Sequence, residues 1–245
     1  MTEAVPRLRM FAGPNGSGKS TINAVIPPEL LGVYVNPDDI EKEIRQRNFL
    51  DLKAYDVQTT SPEVLLFLSH SKLLQKAGLL DEARELAYVD GKLDFHNVLA
   101  NSYFASVAAD FIRQKLLAQR RSFTFETVMS SPDKIALLKQ AQSVGYRTYF
   151  YYIATEDPGI NISRVKNRVR LGGHAVPENK IVSRYGRSLD LLMQAIQTTN
   201  RAYIFDNSNH QDKHVLLAEI TDGKSVEIKV TQVPAWFKRA VWDKL

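Results

Sequence analysis

The 245-residue sequence contains no cysteine, which excludes disulfides and thiolate zinc sites and is compatible with a reducing compartment. No apolar run approaches a membrane span, and the opening MTEAVPRLRMF lacks an apolar core of signal-peptide length. A soluble, cytoplasmic protein with no membrane partner is therefore expected. Internal repeats, low-complexity tracts and Gly/Ser linkers are also missing. Of the five histidines, His70, His96, His210 and His214 show no metal-ligand spacing, so no zinc site is expected. The net charge of +5 is small: it suits an anionic ligand but does not call for nucleic acid. No basic strip interleaves with aromatics, so a nucleic-acid substrate is not expected.

What is present is a chain that is 44% apolar, enough to bury a core. Strand and helix patterns alternate. Leu8 to Ala12, Leu30 to Val35, Ser122 to Thr127, Tyr146 to Ala154 and Ala202 to Phe205 read as strands, with helical segments between them. This order predicts an α/β fold with a mostly parallel five-stranded sheet flanked by helices, and the glycine-rich stretch Gly13-Pro-Asn-Gly-Ser-Gly-Lys-Ser-Thr21 after the first strand makes it the P-loop NTPase type. Residues 1–245 are read as a single domain. From 50 to 121 the pattern is entirely helical and forms an insertion between the second and third strands. Within it Tyr103, Val107 and Phe111 lie on an apolar stripe expected to face the core. Residues 158–190 form a basic segment with its following helix, and 213–245 a C-terminal hairpin and helix. Asp222-Gly223 is the hairpin's turn signal, and Pro234 opens a helix carrying Trp236, Phe237, Val241 and Trp242.

Gly13-Pro-Asn-Gly-Ser-Gly-Lys-Ser-Thr21 matches G-x-x-x-x-G-K-[ST] between a predicted strand and a predicted helix over Ser20 to Ile26. Glycines let backbone N–H groups turn inward around phosphates, and a helix N-terminus favours the anion. Gly13, Asn15, Gly16, Ser17, Gly18, Lys19, Ser20 and Thr21 are the expected nucleotide-binding residues. Lys19 reaches the β- and γ-phosphates in such a loop, and the Ser20 hydroxyl is the expected Mg²⁺ ligand. ATP or GTP with Mg²⁺ is the implied cofactor set. A transporter-type ATPase is excluded, because Leu171-Gly172-Gly173-His174 is a poor signature sequence and no apolar strand ends in Asp-Glu.

Further along come Asn36-Pro37-Asp38-Asp39 and Phe125-Glu126-Thr127. Then follow Arg164-Val-Lys-Asn-Arg168-Val-Arg170-Leu-Gly-Gly-His174-Ala-Val-Pro177 and Arg184-Tyr-Gly-Arg187. With the loop, this set resembles the zeta-toxin family of small-molecule kinases, in its compact stand-alone branch, from about Leu8 to Asp206. The resemblance implies transfer of the γ-phosphate of ATP or GTP to a sugar hydroxyl, with UDP-N-acetylglucosamine as the family's best-understood acceptor. It also implies a small helical antitoxin as partner.

Within that resemblance Asp38 is the expected general base, taking the acceptor's proton, while the plainer reading is that Asp38 or Asp39 caps the next helix. Glu126, at a buried strand end, is expected to contact substrate together with Thr127; a water-mediated Mg²⁺ contact or pairing with an arginine are the alternatives. Arg164 and Arg168 share one helix face, and Arg170 lies partly round from them. Between Arg164 and Arg187 seven Lys/Arg stand against one Glu. Arg164 and Arg168 are expected to act catalytically as a cationic lid over the triphosphate, against the reading of a solvated basic face. His174 falls where such enzymes often carry arginine, and Asp206-Asn207-Ser208 is given no catalytic role. Two further functions stay open: a P-loop kinase for a nucleoside, cofactor or nucleic-acid end, and a non-catalytic nucleotide-dependent switch.

Overall fold

The computed structural model describes residues 5–173, 175–209 and 214–245. His174 and His210 lie outside the described residues. The chain divides into two compact units: Met1–Leu31 with Thr124–Leu245, and Gly32–Phe123.

The larger unit is built on a sheet whose strands run, in spatial order, Ser225–Ile228, Val215–Thr221, Arg201–Asp206, Arg147–Ala154, Arg7–Ala12 and Phe123–Thr127. Arg7–Ala12 pairs in parallel with Arg147–Ala154, which pairs in parallel with Arg201–Asp206. Leu8, Met10, Phe11 and Ala12 are all fully buried. A strand with no polar-out alternation is the pattern of a parallel sheet covered on both faces. The sheet is wider than the five expected strands because the C-terminal hairpin joins it, Val215–Thr221 pairing antiparallel with Arg201–Asp206. Its Asp222 (φ 49°) and Gly223 (φ 64°) are both left-handed, as a type I′ turn requires.

Helices Asp133–Ser143, Pro158–Arg170, Glu178–Asp190, Leu192–Gln197 and Ala235–Ala240 complete this unit. The last carries Trp236, fully buried, whose indole N–H donates to Asp206 Oδ1 at 2.7 Å. Phe237 and Val241 are also fully buried, whereas Trp242 is half exposed, so the C-terminal helix packs on its own unit through three of its four large apolar residues. The segment after the glycine-rich loop, Lys19–Val25, is a 3-10 helix and not the α-helix expected from Ser20 to Ile26, and Pro27-Pro28 follow it.

In the smaller unit, Val33–Val35 leads into the helix Pro37–Arg47, and the long helix Ser102–Ala118 supplies most of the core. Phe104, Val107, Ala108, Phe111 and Ile112 are buried as the stripe predicts, but Tyr103 is not. The expectation of an entirely helical stretch from 50 to 121 needs correction. Helices predominate there, yet Phe49–Asp51, Lys92–Asp94 and Ala87–Val89 form a small antiparallel sheet. Three-residue strands are too short to display a period of two, and the pairing of Phe49 with Asp94 joins residues far apart in sequence.

Candidate functional site

The strand Arg7–Ala12 delivers the chain into the glycine-rich loop. Gly13 has φ 147°, and a Cβ there would lie 2.0 Å from the Ile153 carbonyl oxygen of the neighbouring strand. Gly18 has φ 94°, and a Cβ would lie 2.3 Å from Asn207 Nδ2. Both positions therefore require glycine, by backbone conformation and by space. The Lys19 ammonium folds back along the loop and donates to the carbonyls of Gly13 at 2.9 Å and Pro14 at 3.0 Å. Thr21 Oγ1 donates to the Gly18 carbonyl at 2.7 Å.

Two of the sequence-predicted residues meet directly: Ser20 Oγ donates to Glu126 Oε2 at 3.1 Å. Glu126 is buried at the end of its strand. A hydroxyl and a carboxylate at that separation are oxygen donors of the kind that hold Mg²⁺. Thr127 is placed differently from expectation, since its hydroxyl accepts from the Met129 backbone N–H at 3.0 Å and closes the turn after the strand.

Asp38 lies in the smaller unit, exposed in the first turn of Pro37–Arg47. Neither Asp38 nor Asp39 caps this helix: Asn36 does, its Oδ1 accepting from the Asp38 backbone N–H at 2.9 Å. Asn36 reaches that N–H from outside the helix, which Asp38 and Asp39, already within the first turn, cannot do. Burial, with the charge of Asp38 adding to it, pushes the Asp39 carboxyl above its ordinary value.

The basic segment divides its arginines among separate tasks. Arg164 Nη1 donates to the Asn207 carbonyl at 2.8 Å and Nη2 to the Asn209 carbonyl at 3.2 Å. Arg168 is exposed in the C-terminal part of Pro158–Arg170. Arg170 donates to Asn167, and Lys166 pairs with Glu178 at 2.7 Å. Arg184 reaches a side chain of the loop itself, with Nη1 3.4 Å from Asn15 Oδ1. Sequence reasoning gave the lid role to Arg164 and Arg168 and quoted Arg184 only as part of the resemblance; the structure half-buries it on the amphipathic helix Glu178–Asp190.

Three buried polar residues that sequence reasoning missed shape the loop from behind. Asn161 Nδ2 donates to the Asn15 carbonyl at 2.6 Å and its Oδ1 accepts from the Thr155 hydroxyl. Asn207 Nδ2 donates to the Ser17 carbonyl at 2.8 Å. A groove of about 610 Å³ in the smaller unit, against Tyr34, Tyr55, Asp56, Arg120 and Arg121, holds none of the sequence-predicted site residues.

The family model for zeta toxins matches residues 81–217, more than half of the chain. The chain belongs to the zeta-toxin family. The matched stretch includes Glu126 and the basic segment, and the loop at 13–21 precedes it. An uncharacterised protein of Haemophilus influenzae is 32% identical over 69 residues, covering 28% of this chain and 49% of that protein. This chain thus aligns with about half the length of that relative. Among solved structures, the AvrRxo1-ORF1:AvrRxo1-ORF2 complex matches with a TM-score of 0.56 at 14% identity, over 92% of this chain and 61% of that one. That complex has also been solved with ATP. The PezAT toxin–antitoxin system of Streptococcus pneumoniae gives a TM-score of 0.48 at 15% identity, over 96% of this chain and 77% of that one. At such identities the likeness to the AvrRxo1 complex concerns the fold, a mixed α/β architecture with a mostly parallel sheet flanked by helices.

Proposed function

We propose that this zeta-toxin family member is a phosphotransferase that moves the γ-phosphate of ATP or GTP to a hydroxyl of a small molecule. The observation that carries the reading is the contact between Ser20 Oγ and Glu126 Oε2, 3.1 Å apart beside Lys19. The chemistry that Mg²⁺ would supply at these two residues is neutralisation of the charge developing on the transferred phosphate. Ser20 would hold the ion directly, and Glu126 would hold it directly or orient its water. The hydrogen bond favours this role for Glu126 over the acceptor contact that the family resemblance implies.

The remaining residues divide the work of positioning. The backbone of Gly13 to Thr21 cradles the phosphates, and Lys19 leaves the Gly13 and Pro14 carbonyls to meet the β- and γ-oxygens. Asp38 accepts the proton of the attacking hydroxyl as its oxygen bonds to the γ-phosphorus and the bond to the β-phosphate oxygen breaks. Arg184 joins Arg168 as the cations over the transferred group, because its guanidinium stands against Asn15. UDP-N-acetylglucosamine is the first acceptor to try, and a small helical antitoxin the first partner.

The test is transfer of label from γ-labelled ATP or GTP to a panel of metabolites that includes UDP-N-acetylglucosamine and other nucleotide sugars. Lys19→Ala and Asp38→Asn run alongside. Label on a UDP-sugar, absent with both variants, supports the full reading. Label on another acceptor retains the phosphotransferase and removes the sugar nucleotide. Nucleotide binding without any transfer replaces the reading with a switch protein.

A further inference from the structure

Arg164 sits on the helix side of the loop and Asn207 on the strand side, and their connection does not resemble that of a γ-phosphate ligand. Both terminal nitrogens of Arg164 are turned onto backbone carbonyls, those of Asn207 and Asn209. Asn207 is itself buried; its backbone N–H donates to the Ala154 carbonyl at 2.8 Å, and its side-chain amide to the Ser17 carbonyl at 2.8 Å. Beyond it, His214 Nε2 lies 3.1 Å from the Gly18 carbonyl and 3.1 Å from Thr21 Oγ1. Since the Thr21 hydroxyl proton points to the Gly18 carbonyl, the imidazole N–H is the donor to both oxygens. The His214 ring is set edge-on to Phe205 of the adjoining strand, with centroids 6.5 Å apart. The ring nitrogen and the Asn207 amide also occupy the space a side chain at Gly18 would need.

We infer that Arg164, Asn207 and His214 form a brace that fixes Ser17, Gly18 and Thr21 in their phosphate-binding shape, with Arg164 a positioning residue and not a γ-phosphate ligand. The inference rests on the phosphotransferase reading for its consequence, but the brace itself is a property of the unliganded protein. The braced residues belong to the part of such loops whose N–H groups cradle the α- and β-phosphates, which ADP and ATP share. A fault in the brace therefore weakens both nucleotides by the same factor, whereas loss of a γ-phosphate ligand weakens ATP and spares ADP.

Two measurements on the full-length chain test this, using Arg164→Lys, Asn207→Ala, His214→Ala and His214→Gln. Lysine keeps the charge but cannot span two carbonyls, and glutamine restores a donor at position 214. Hydrogen exchange of the Ser17, Gly18 and Lys19 amides in the unliganded protein is expected to quicken in the first three variants and recover partly in the fourth. Equilibrium binding of ATP and of ADP is expected to weaken about tenfold each in Arg164→Lys, with their ratio unchanged. Unaltered exchange at those amides overturns the brace, and so does a loss confined to ATP. Faster exchange in the variants of a wild-type protein that binds neither nucleotide keeps the brace and removes the phosphotransferase reading instead. A variant that fails to fold shows itself by exchange across the whole sheet, and His214→Gln then carries the decision.

Discussion

The two units use their polar residues in opposite ways. Of the fourteen buried polar side chains among the described residues, twelve belong to the larger unit, and only Glu41 and Arg113 to the smaller one. In the larger unit several converge on the glycine-rich loop: Ser17 within it, Asn161 and Asn207 against its carbonyls, and Glu126 against Ser20. In the smaller unit most ion pairs lie at or near the surface, as in Arg47 with Glu43, Arg84 with Asp81, Lys115 with Glu63 and Arg121 with Asp56, and its two buried charges, Glu41 and Arg113, each pair with a more exposed partner on the same helix. Charge divides similarly. The larger unit has 20 Lys/Arg against 14 Asp/Glu, and the smaller 12 against 13, so the whole positive excess lies in the larger unit. Burying polar groups costs stability unless each is paired, and the larger unit pairs several of its own against the loop. The smaller unit is a packed, capped scaffold, with Asp38 exposed in the first turn of one helix.

That contrast is sharpest where the scaffold is given a chemical task. Asp38→Asn is expected to reduce phosphoryl transfer by about 10²–10⁴-fold while nucleotide affinity stays as in wild type. Equal activity in the variant would leave the smaller unit with no part in the chemistry. Next comes the larger unit's packing: Trp236→Ala is expected to cost about 3–5 kcal/mol in chemical denaturation, since a fully buried ring is lost. Trp236 also satisfies Asp206, so a loss below that range would mean the C-terminal helix is peripheral.

In the smaller unit the effects are smaller. Asn36→Ala removes the cap of Pro37–Arg47 and is expected to cost about 1 kcal/mol, read from the denaturation midpoint. Glu63 gives the least. Hydrogen bonds from Lys115, Thr59 and the Thr60 backbone hold its carboxyl down at about 2. A depressed carboxylate contributes stability that is present above its ordinary value near 4.5 and is lost as pH falls towards 2. Because the pair is exposed, that contribution is small. Lys115→Met is expected to return the Glu63 titration, followed by NMR, most of the way to the ordinary carboxylate range. No movement would assign the shift to the two threonines.

Local patterns carried much of this structure in the sequence, and long-range pairing carried the rest. The loop was legible because its glycines, lysine and serine stand at fixed offsets, and the hairpin because Asp222-Gly223 demands left-handed backbone. Asp90-Gly91 sends the same signal between Val89 and Lys92, with φ 53° and 90°, yet the helical residues around it obscured the short sheet. The cap at Asn36 was readable in principle, as an asparagine before Pro37 fits the helix-start rule better than the aspartates after it. Asn161, Asn207 and His214 had no such signal. Each acts on a loop between 146 and 196 residues away, and no spacing rule connects them to it. The arginines show the same limit: helical spacing groups Arg164 with Arg168 but cannot show that carbonyls, and not a phosphate, face Arg164.

The central claim is that the loop of the larger unit holds a nucleoside triphosphate for phosphoryl transfer. It is tested most directly by equilibrium binding of Mg²⁺-ATP and Mg²⁺-GTP to the wild-type chain and to Lys19→Ala, with folding of both checked by thermal denaturation. The account predicts saturable one-site binding to wild type, weakened by about 10²-fold or more in the variant with its fold intact. Absence of binding to wild type, or equal binding by Lys19→Ala, would contradict it.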